Sequence, residues 1–135
     1  GDLRLRSMQI LQEESELEEI VRLVGMDALG WKDRLTMEVA RSIREDYLHQ
    51  NAFDEIDTYT SLGKQYRMLR LILDYADKGQ MALDAGVNLS DVIDLPVRER
   101  IGRAKYIPED SLAYFDEIES ELAAQANALI TRGGL

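Results

Sequence analysis

Between Met8 and Val24 apolar residues recur at helical spacing. Ile10, Leu17, Val21 and Val24 form a stripe with Leu11 and Ile20 beside it, while Glu13, Glu14, Glu16, Glu18 and Glu19 occupy the opposite face. The spacing predicts an amphipathic helix ending at Gly25, a residue able to take the left-handed conformation common at helix C-termini. A second helix is predicted from about Trp31 to Gln50, with Leu35, Val39, Ile43 and Tyr47 on one line and Arg41, Arg44 and Glu45 off it. Because only a few residues separate the two, they should pack as an antiparallel hairpin.

The stretch Gln50 to Leu62 lacks helical periodicity and is rich in Asn, Asp, Thr and Ser, the composition of a connecting loop. Ser61 is placed to cap a third helix, whose stripe of Leu62, Tyr66, Leu69, Leu73 and Ala76 runs to about Ala85 before Gly86. Within it, Gly79 weakens the last turns by roughly 1 kcal/mol relative to Ala. Ser90 is the expected cap of a short turn that Pro96 interrupts, and Val97 to Tyr106 forms a further short helix. Pro108 to Thr131 is a long last helix with Leu112, Phe115, Ile118, Leu122 and Leu129 along one side, ending at Gly133 and Gly134. No strand is required. The pattern predicts an all-α bundle of about four main helices plus a short one, arranged as antiparallel hairpins.

Composition narrows the class. With 135 residues, 45% hydrophobic and 31% charged, the chain suits one domain with a single core. No apolar run approaches the ~20 residues a spanning helix needs, so no direct membrane insertion is expected. A net charge of −10 argues against nucleic acid as a partner, because phosphate binding needs a local excess of Lys and Arg. The lack of cysteine removes disulfides, thiol nucleophiles and Cys-based zinc sites, and suits the cytoplasm. The chain opens on Gly rather than Met and no signal peptide follows, so it reads as a piece of a longer protein.

Few residues suggest chemistry. Asp46-Tyr47-Leu48-His49 supplies one imperfect half of the Glu-x-x-His pairs of a diiron carboxylate site, but His49 is the only histidine and a plain surface role weighs more. Asp54, Glu55 and Asp57 do not have the spacing of a calcium loop, and solvated loop carboxylates are the better reading. There is no G-x-x-x-x-G-K-[ST], G-x-G-x-x-G or G-x-S-x-G run, hence no visible catalytic centre and no metal site. The basic residues Arg98, Arg100, Arg103 and Lys105 could meet an acidic partner, although intramolecular ion pairs are the commoner outcome in so acidic a chain.

The segment EVARSIREDYLHQNAFDEIDTYTSLGKQYRMLRLIL, Glu38 to Leu73, closely resembles the C-terminal region of the catalytic A subunit of archaeal and bacterial V/A-type ATP synthases, and the likeness continues through LPVRERIGRAKYIPED, Leu95 to Asp110, to the end of the chain. The resemblance implies that residues 1–135 are the C-terminal helical domain of a subunit several times longer. Its nucleotide-binding domain, with P-loop and catalytic glutamate, would lie upstream. The domain would sit beneath the nucleotide-binding domain in a ring of three A and three B subunits around a central rotor stalk. ATP or ADP with Mg would bind the intact subunit, at sites between A and B, and no cofactor would bind this piece alone. The location implied is cytoplasmic, associated with the membrane through the peripheral sector.

Two sites follow from the resemblance. Gly25 to Leu35 is similar to the acidic helix-turn-helix loop that the homologous F-type β subunit presses on its rotor, which marks Met26, Asp27, Ala28, Leu29, Gly30, Trp31, Lys32 and Asp33 as rotor-facing. The F-type loop is acidic where this chain has Ala28, Trp31 and Lys32, so Lys32 and Arg34 would favour acidic rotor positions instead. Gly30 should cap the second helix, with Asp33 near the positive end of its dipole and Trp31 at the tip. Trp31 either folds back on Leu29 and Leu35 as a local cover or projects to the rotor; both hold if it is partly covered in the domain and buried further in the complex. Gln50, Asn51, Ala52 and Phe53 match the stretch that contributes an aromatic to the adenine pocket, against the plainer reading of Phe53 as a cap on the bundle core. The alternative function is a free-standing helical adaptor, which an upstream P-loop domain in the same reading frame would exclude.

Overall fold

A computed structural model describes residues 2–48 and 61–133. Among these there is no strand, and the all-α expectation holds. The main helices are α1 (Asp2–Val24), α2 (Trp31–Ser42), α3 (Leu62–Asp84) and α6 (Tyr114–Gly133), with short helices α4 (Leu89–Ile93) and α5 (Val97–Gly102) between the last two.

Helix α3 is the axis, packed against α1, α2, α4, α5 and α6. Its run of Met68, Leu69, Leu71, Ile72, Leu73 and Tyr75 is buried almost all round, so it is a central helix rather than the one-faced amphipathic helix the stripe suggested. Leu62 and Tyr66, assigned to that stripe, are exposed, because they belong to the first turns and extend past the end of the core. Both predicted ends hold. The Ser61 hydroxyl accepts from Lys64 N at 3.1 Å. At the other end Val87 N reaches Ala82 O and Gly86 N reaches Leu83 O, each at 3.0 Å, around Gly86 at φ +91°.

A carboxylate completes the N-terminal cap. Glu109 accepts from Ser61 N at 3.0 Å and from the Ser61 hydroxyl at 2.7 Å. The backbone bond and then the hydroxyl bond from Ser61 hold the Glu109 carboxyl below its usual range, at a helix end that favours negative charge.

Gly79 has a packing role beyond its low helix propensity. A Cβ there would lie 3.0 Å from Val92 Cγ1 and 3.2 Å from Leu35 Cδ2, so its bare Cα lets α2 and α4 close on α3.

Helix α2 buries Leu35, Val39 and Ile43 as the periodicity predicts, then loosens after Ser42 into π-helical turns over Ile43–Leu48. Those turns are braced by the following elements. Lys105 Nζ donates to Glu45 O at 3.4 Å, and the Asp46 carboxylate lies against Gly102, where a Cβ would sit 3.4 Å from Oδ1. Helix α4 is capped at Asn88 rather than Ser90, because Leu89 and Val92 are both buried and the helix must start early enough to turn both inward. The last helix begins at Tyr114; Glu109–Ser111 forms a separate 3₁₀ turn, and Phe115, Ile118, Leu122 and Leu129 are buried as expected.

Helix α1 starts at Asp2 rather than Met8 and holds to the bundle by a mixed seam of ion pairs and half-covered apolar side chains. Its two buried residues are Ser7, which donates to Leu3 O at 2.9 Å, and Glu14. Glu14, read from the sequence as part of the solvated face, accepts from Arg44 Nε at 3.0 Å and Nη2 at 2.6 Å. Arg6 pairs with Asp77 of α3. Leu3, Ile10 and Leu11 pack against the core only in part.

Candidate functional site

The tip of the α1–α2 hairpin is shaped by its two glycines. Gly25 N donates to Val21 O at 2.8 Å, and the residue then turns out at φ 90°, ψ 165°, a region essentially reserved for glycine. The positive φ is as predicted, while ψ is extended rather than left-handed helical. Met26–Ala28 makes one 3₁₀ turn, closed by Leu29 N on Met26 O at 3.0 Å. Leu29 then folds inward and is buried, which makes it the plug of the hairpin. Gly30 caps α2 through its carbonyl, which accepts from Arg34 N at 3.0 Å, and Asp33 lies in the first turn as expected.

Trp31 is the first residue of α2 and remains 64% exposed. About a third of it is covered, so the closing role on the hairpin falls to Leu29. Met26 and, beside the turn, Asp27, Ala28, Lys32 and Asp33 are exposed as well. Among the described residues neither Lys32 nor Arg34 has an ion pair, whereas Arg22 pairs with Glu19.

Sequence reasoning missed part of this surface. Val24 and Ile20, assigned to the buried stripe, are exposed, and so is Leu23. The turn returns only Leu29 to the hairpin, which leaves Leu23 and Val24 in the last turn of α1 uncovered by the described residues. The period of the pattern could not show that, since it gives a face but not what covers it.

The other end of the hairpin lies far away: the 23 residues of α1 span about 34 Å. There Leu3, Tyr47, Leu62, Tyr66 and Leu69 line a cleft that Asp2, Arg4 and Gln65 also border. Gln50, Asn51, Ala52 and Phe53 lie outside the described residues, as do His49, Asp54, Glu55 and Asp57. Asp46 is half-buried; burial raises its carboxyl pKa against the opposing charge of Lys105. Among the described residues no cluster of three His, Cys, Asp or Glu side chains could hold a metal ion.

The basic run is largely engaged within the domain, as its setting in an acidic chain suggested. Arg98 donates to Glu38 at 3.0 Å, to the Ser42 hydroxyl at 3.0 Å and to Ile93 O at 3.1 Å. Arg100 pairs with Glu121 at 2.7 Å. The Arg103 and Lys105 cations lie over the Tyr106 ring at 5.9 and 5.6 Å.

Residues 1–92, from α1 into α4 and including the whole tip, match the family model described as the C-terminal domain of V and A type ATP synthase. The chain belongs to this family. The V-type ATP synthase alpha chain of Acetivibrio thermocellus is 65% identical over 131 residues, 96% of this chain. The alpha chains of Clostridium perfringens and Thermoanaerobacter pseudethanolicus are 59% and 57% identical over 133 residues, 98% of this chain. The likeness to these V-type alpha chains therefore runs on through α5 and α6. The chain spans 22% of the length of these relatives. As a C-terminal ATP synthase domain, it contains among its described residues no helix long and apolar enough to cross a membrane.

Proposed function

We propose that this domain works within an intact A (alpha) subunit of an ion-translocating rotary ATPase, where it passes the nucleotide state of the catalytic sites to the central rotor stalk. The single observation that carries the reading is the course of α2. Its helical chain runs from Trp31 at the exposed tip to Leu48, two residues short of Gln50, with its inner face fixed in the core. Met26 to Asp33 are the rotor-facing residues in this reading, and Gln50 to Phe53 stand on the adenine side.

The intact subunit would bind ATP or ADP with Mg at its interfaces with B subunits, on the cytoplasmic side of the membrane. A flat apolar ring such as Phe53 suits a purine face, and the described residues that flank this stretch, Leu48, Leu62 and Tyr66, are exposed and apolar. Phosphate binding and hydrolysis call for backbone N–H groups of a glycine-rich loop and a lysine, supplied by other parts of the subunit. Residues 1–135 alone should therefore neither hydrolyse ATP nor hold it tightly.

Two variants of the assembled complex test the two ends. Phe53→Ala should raise KM for ATP with kcat little changed, because base stacking is shared by ground and transition states. Trp31→Ala should lower the ions pumped per ATP while ATPase continues. Wild-type pumping with only a lowered Tm would make Trp31 a local cover, and an unchanged KM with a lowered Tm would make Phe53 a core residue.

A further inference from the structure

We infer that the segment from Gly102 to Glu109 is a clasp that sets the preference of the intact subunit for adenine, with Lys105 and Glu109 as its positioning residues. The inference rests on the reading of Gln50 to Phe53 as the adenine side. It adds to that reading the side chains that fix the chain on either side of the stretch.

The described chain leaves α2 at Leu48 and resumes at Ser61, and one short segment far along the sequence reaches both places. On the departing side Lys105 Nζ donates to Glu45 O at 3.4 Å, and its charge acts on the half-buried Asp46 carboxylate. That carboxylate rests on Gly102, where a Cβ would lie 3.4 Å from Oδ1. On the returning side Glu109 takes both the N–H and the hydroxyl of Ser61, at 3.0 and 2.7 Å. Between the two, Lys64 is only 3% exposed and donates its ammonium to Lys105 O at 2.7 Å. A buried cation is costly unless it is bonded, so this contact ties the backbone of Lys105 to α3.

The segment is stiff enough to keep the two places in register. Tyr106 N donates to Arg103 O and Ile107 N to Ala104 O, each at 3.0 Å, and Ser111 N donates to Pro108 O at 2.9 Å. Ala104 is buried and Ile107 packs against the core, so apolar contacts hold the segment in the domain. The polar ends of Lys105 and Glu109 are left to grip the chain on either side of the stretch. Fixing both ends narrows the arrangements open to the residues between them and so preorganises a base contact. A small displacement of a binding group costs much of its effect. The phosphates are bound elsewhere in the subunit, so base recognition rather than hydrolysis is what the clasp governs.

The test uses the assembled complex, its hydrolysis of ATP and of GTP, and inorganic tripolyphosphate as a competitive inhibitor that has no base. Lys105→Met and Glu109→Ala should each raise KM for ATP roughly threefold or more with kcat little changed, and should lower the ratio of kcat/KM for ATP to that for GTP. Inhibition by tripolyphosphate should stay at its wild-type value. Lys105→Arg, which keeps a donor, should restore most of the preference. Arg100→Met breaks the Arg100–Glu121 pair in the adjoining helix without touching either side of the stretch, and should keep the wild-type preference. If Phe53→Ala lowers the preference and neither Lys105→Met nor Glu109→Ala does, the clasp is overturned and the adenine-side reading stands. If all three leave it unchanged, the adenine-side reading falls together with the clasp. A lowered kcat with weakened tripolyphosphate inhibition, or an equal loss of preference from Arg100→Met, would mark a general loss of structure and overturn the positioning role.

Discussion

The Arg98 guanidinium lies 4.8 Å from the centre of the Tyr75 ring, and the hydroxyl of that ring donates to Val92 O at 2.8 Å. Together the two side chains tie α5, α4 and α2 to the central helix: Arg98 reaches Glu38 and Ser42, and Tyr75 is fully buried. Burial pushes the Tyr75 hydroxyl up to about 12, so it stays a donor throughout the ordinary pH range.

Arg98→Ala should destabilise the domain by about 2–4 kcal/mol, since it removes a stacked cation and leaves Ser42 and Ile93 O short of a donor. Arg98→Lys should recover little of this, because a point charge on a flexible stem cannot serve three acceptors in a plane while stacking on a ring. Urea unfolding midpoints of the three proteins check the order.

Two carboxylates beside α2 should respond to pH in opposite directions. Burial raises the Glu38 pKa, but hydrogen bonds from Arg41 and Arg98 outweigh it and leave the carboxyl below its usual value. Its contribution is present above the unfolded pKa and is lost as pH falls through the lower folded pKa. Asp46 is the reverse. Its raised pKa makes the ionised form unfavourable in the folded state, so stability from this group increases as pH falls through that pKa. Glu38→Gln should therefore lower Tm at neutral pH and Asp46→Asn should raise it, with both differences shrinking in acid. Calorimetric melts from neutral pH down to the carboxylate range would show it.

Gly79→Ala should destabilise by about 1 kcal/mol even though Ala is the better helix former. The propensity gain of roughly 1 kcal/mol is smaller than the cost of forcing a methyl against buried Leu35 and Val92, about 1–3 kcal/mol. In a Val92→Ala background the penalty should shrink or change sign, a coupling that a double-mutant cycle measures directly.

Gly25→Ala should cost about 1–3 kcal/mol through backbone strain alone, since a Cβ at that position meets nothing within 4 Å. Gly30→Ala should cost less, because Gly30 sits at φ −70°, where a Cβ brings no backbone strain and only the modest N-cap preference of Gly over Ala is lost. The comparison separates two glycines that look alike in the sequence.

Much of the architecture could be read from the residues. Ser61 and Gly86 frame α3 by local hydrogen bonding that a short window of sequence contains, while Glu109, which completes the Ser61 cap from far along the chain, lay outside that window. The α2 and α6 stripes were legible because one face alone is buried. The misreadings share a cause in long-range packing. The burial of Glu14 depends on Arg44 of another helix, and the exposure of Val24 depends on what the turn fails to return. The position of α3 at the centre depends on five neighbours, which its own period cannot report. The site was legible to the same degree. The glycines located the tip, but Leu29 as its plug and the bare last turn of α1 needed the third dimension.

The mixed seam of α1 gives the hairpin two unlike legs. Helix α2 is embedded by Leu35, Val39 and Ile43, whereas α1 is held by the Glu14–Arg44 and Arg6–Asp77 pairs and by side chains only half covered. Ion pairs weaken with salt, and apolar burial does not. Raised ionic strength should thus loosen one leg and leave the other rigid, with α1 amides exchanging hydrogen well before those of α2 and α3. Under a sideways load at the tip, the hairpin would behave as a stiff spar with a compliant outrigger, bending towards the side on which α1 gives way.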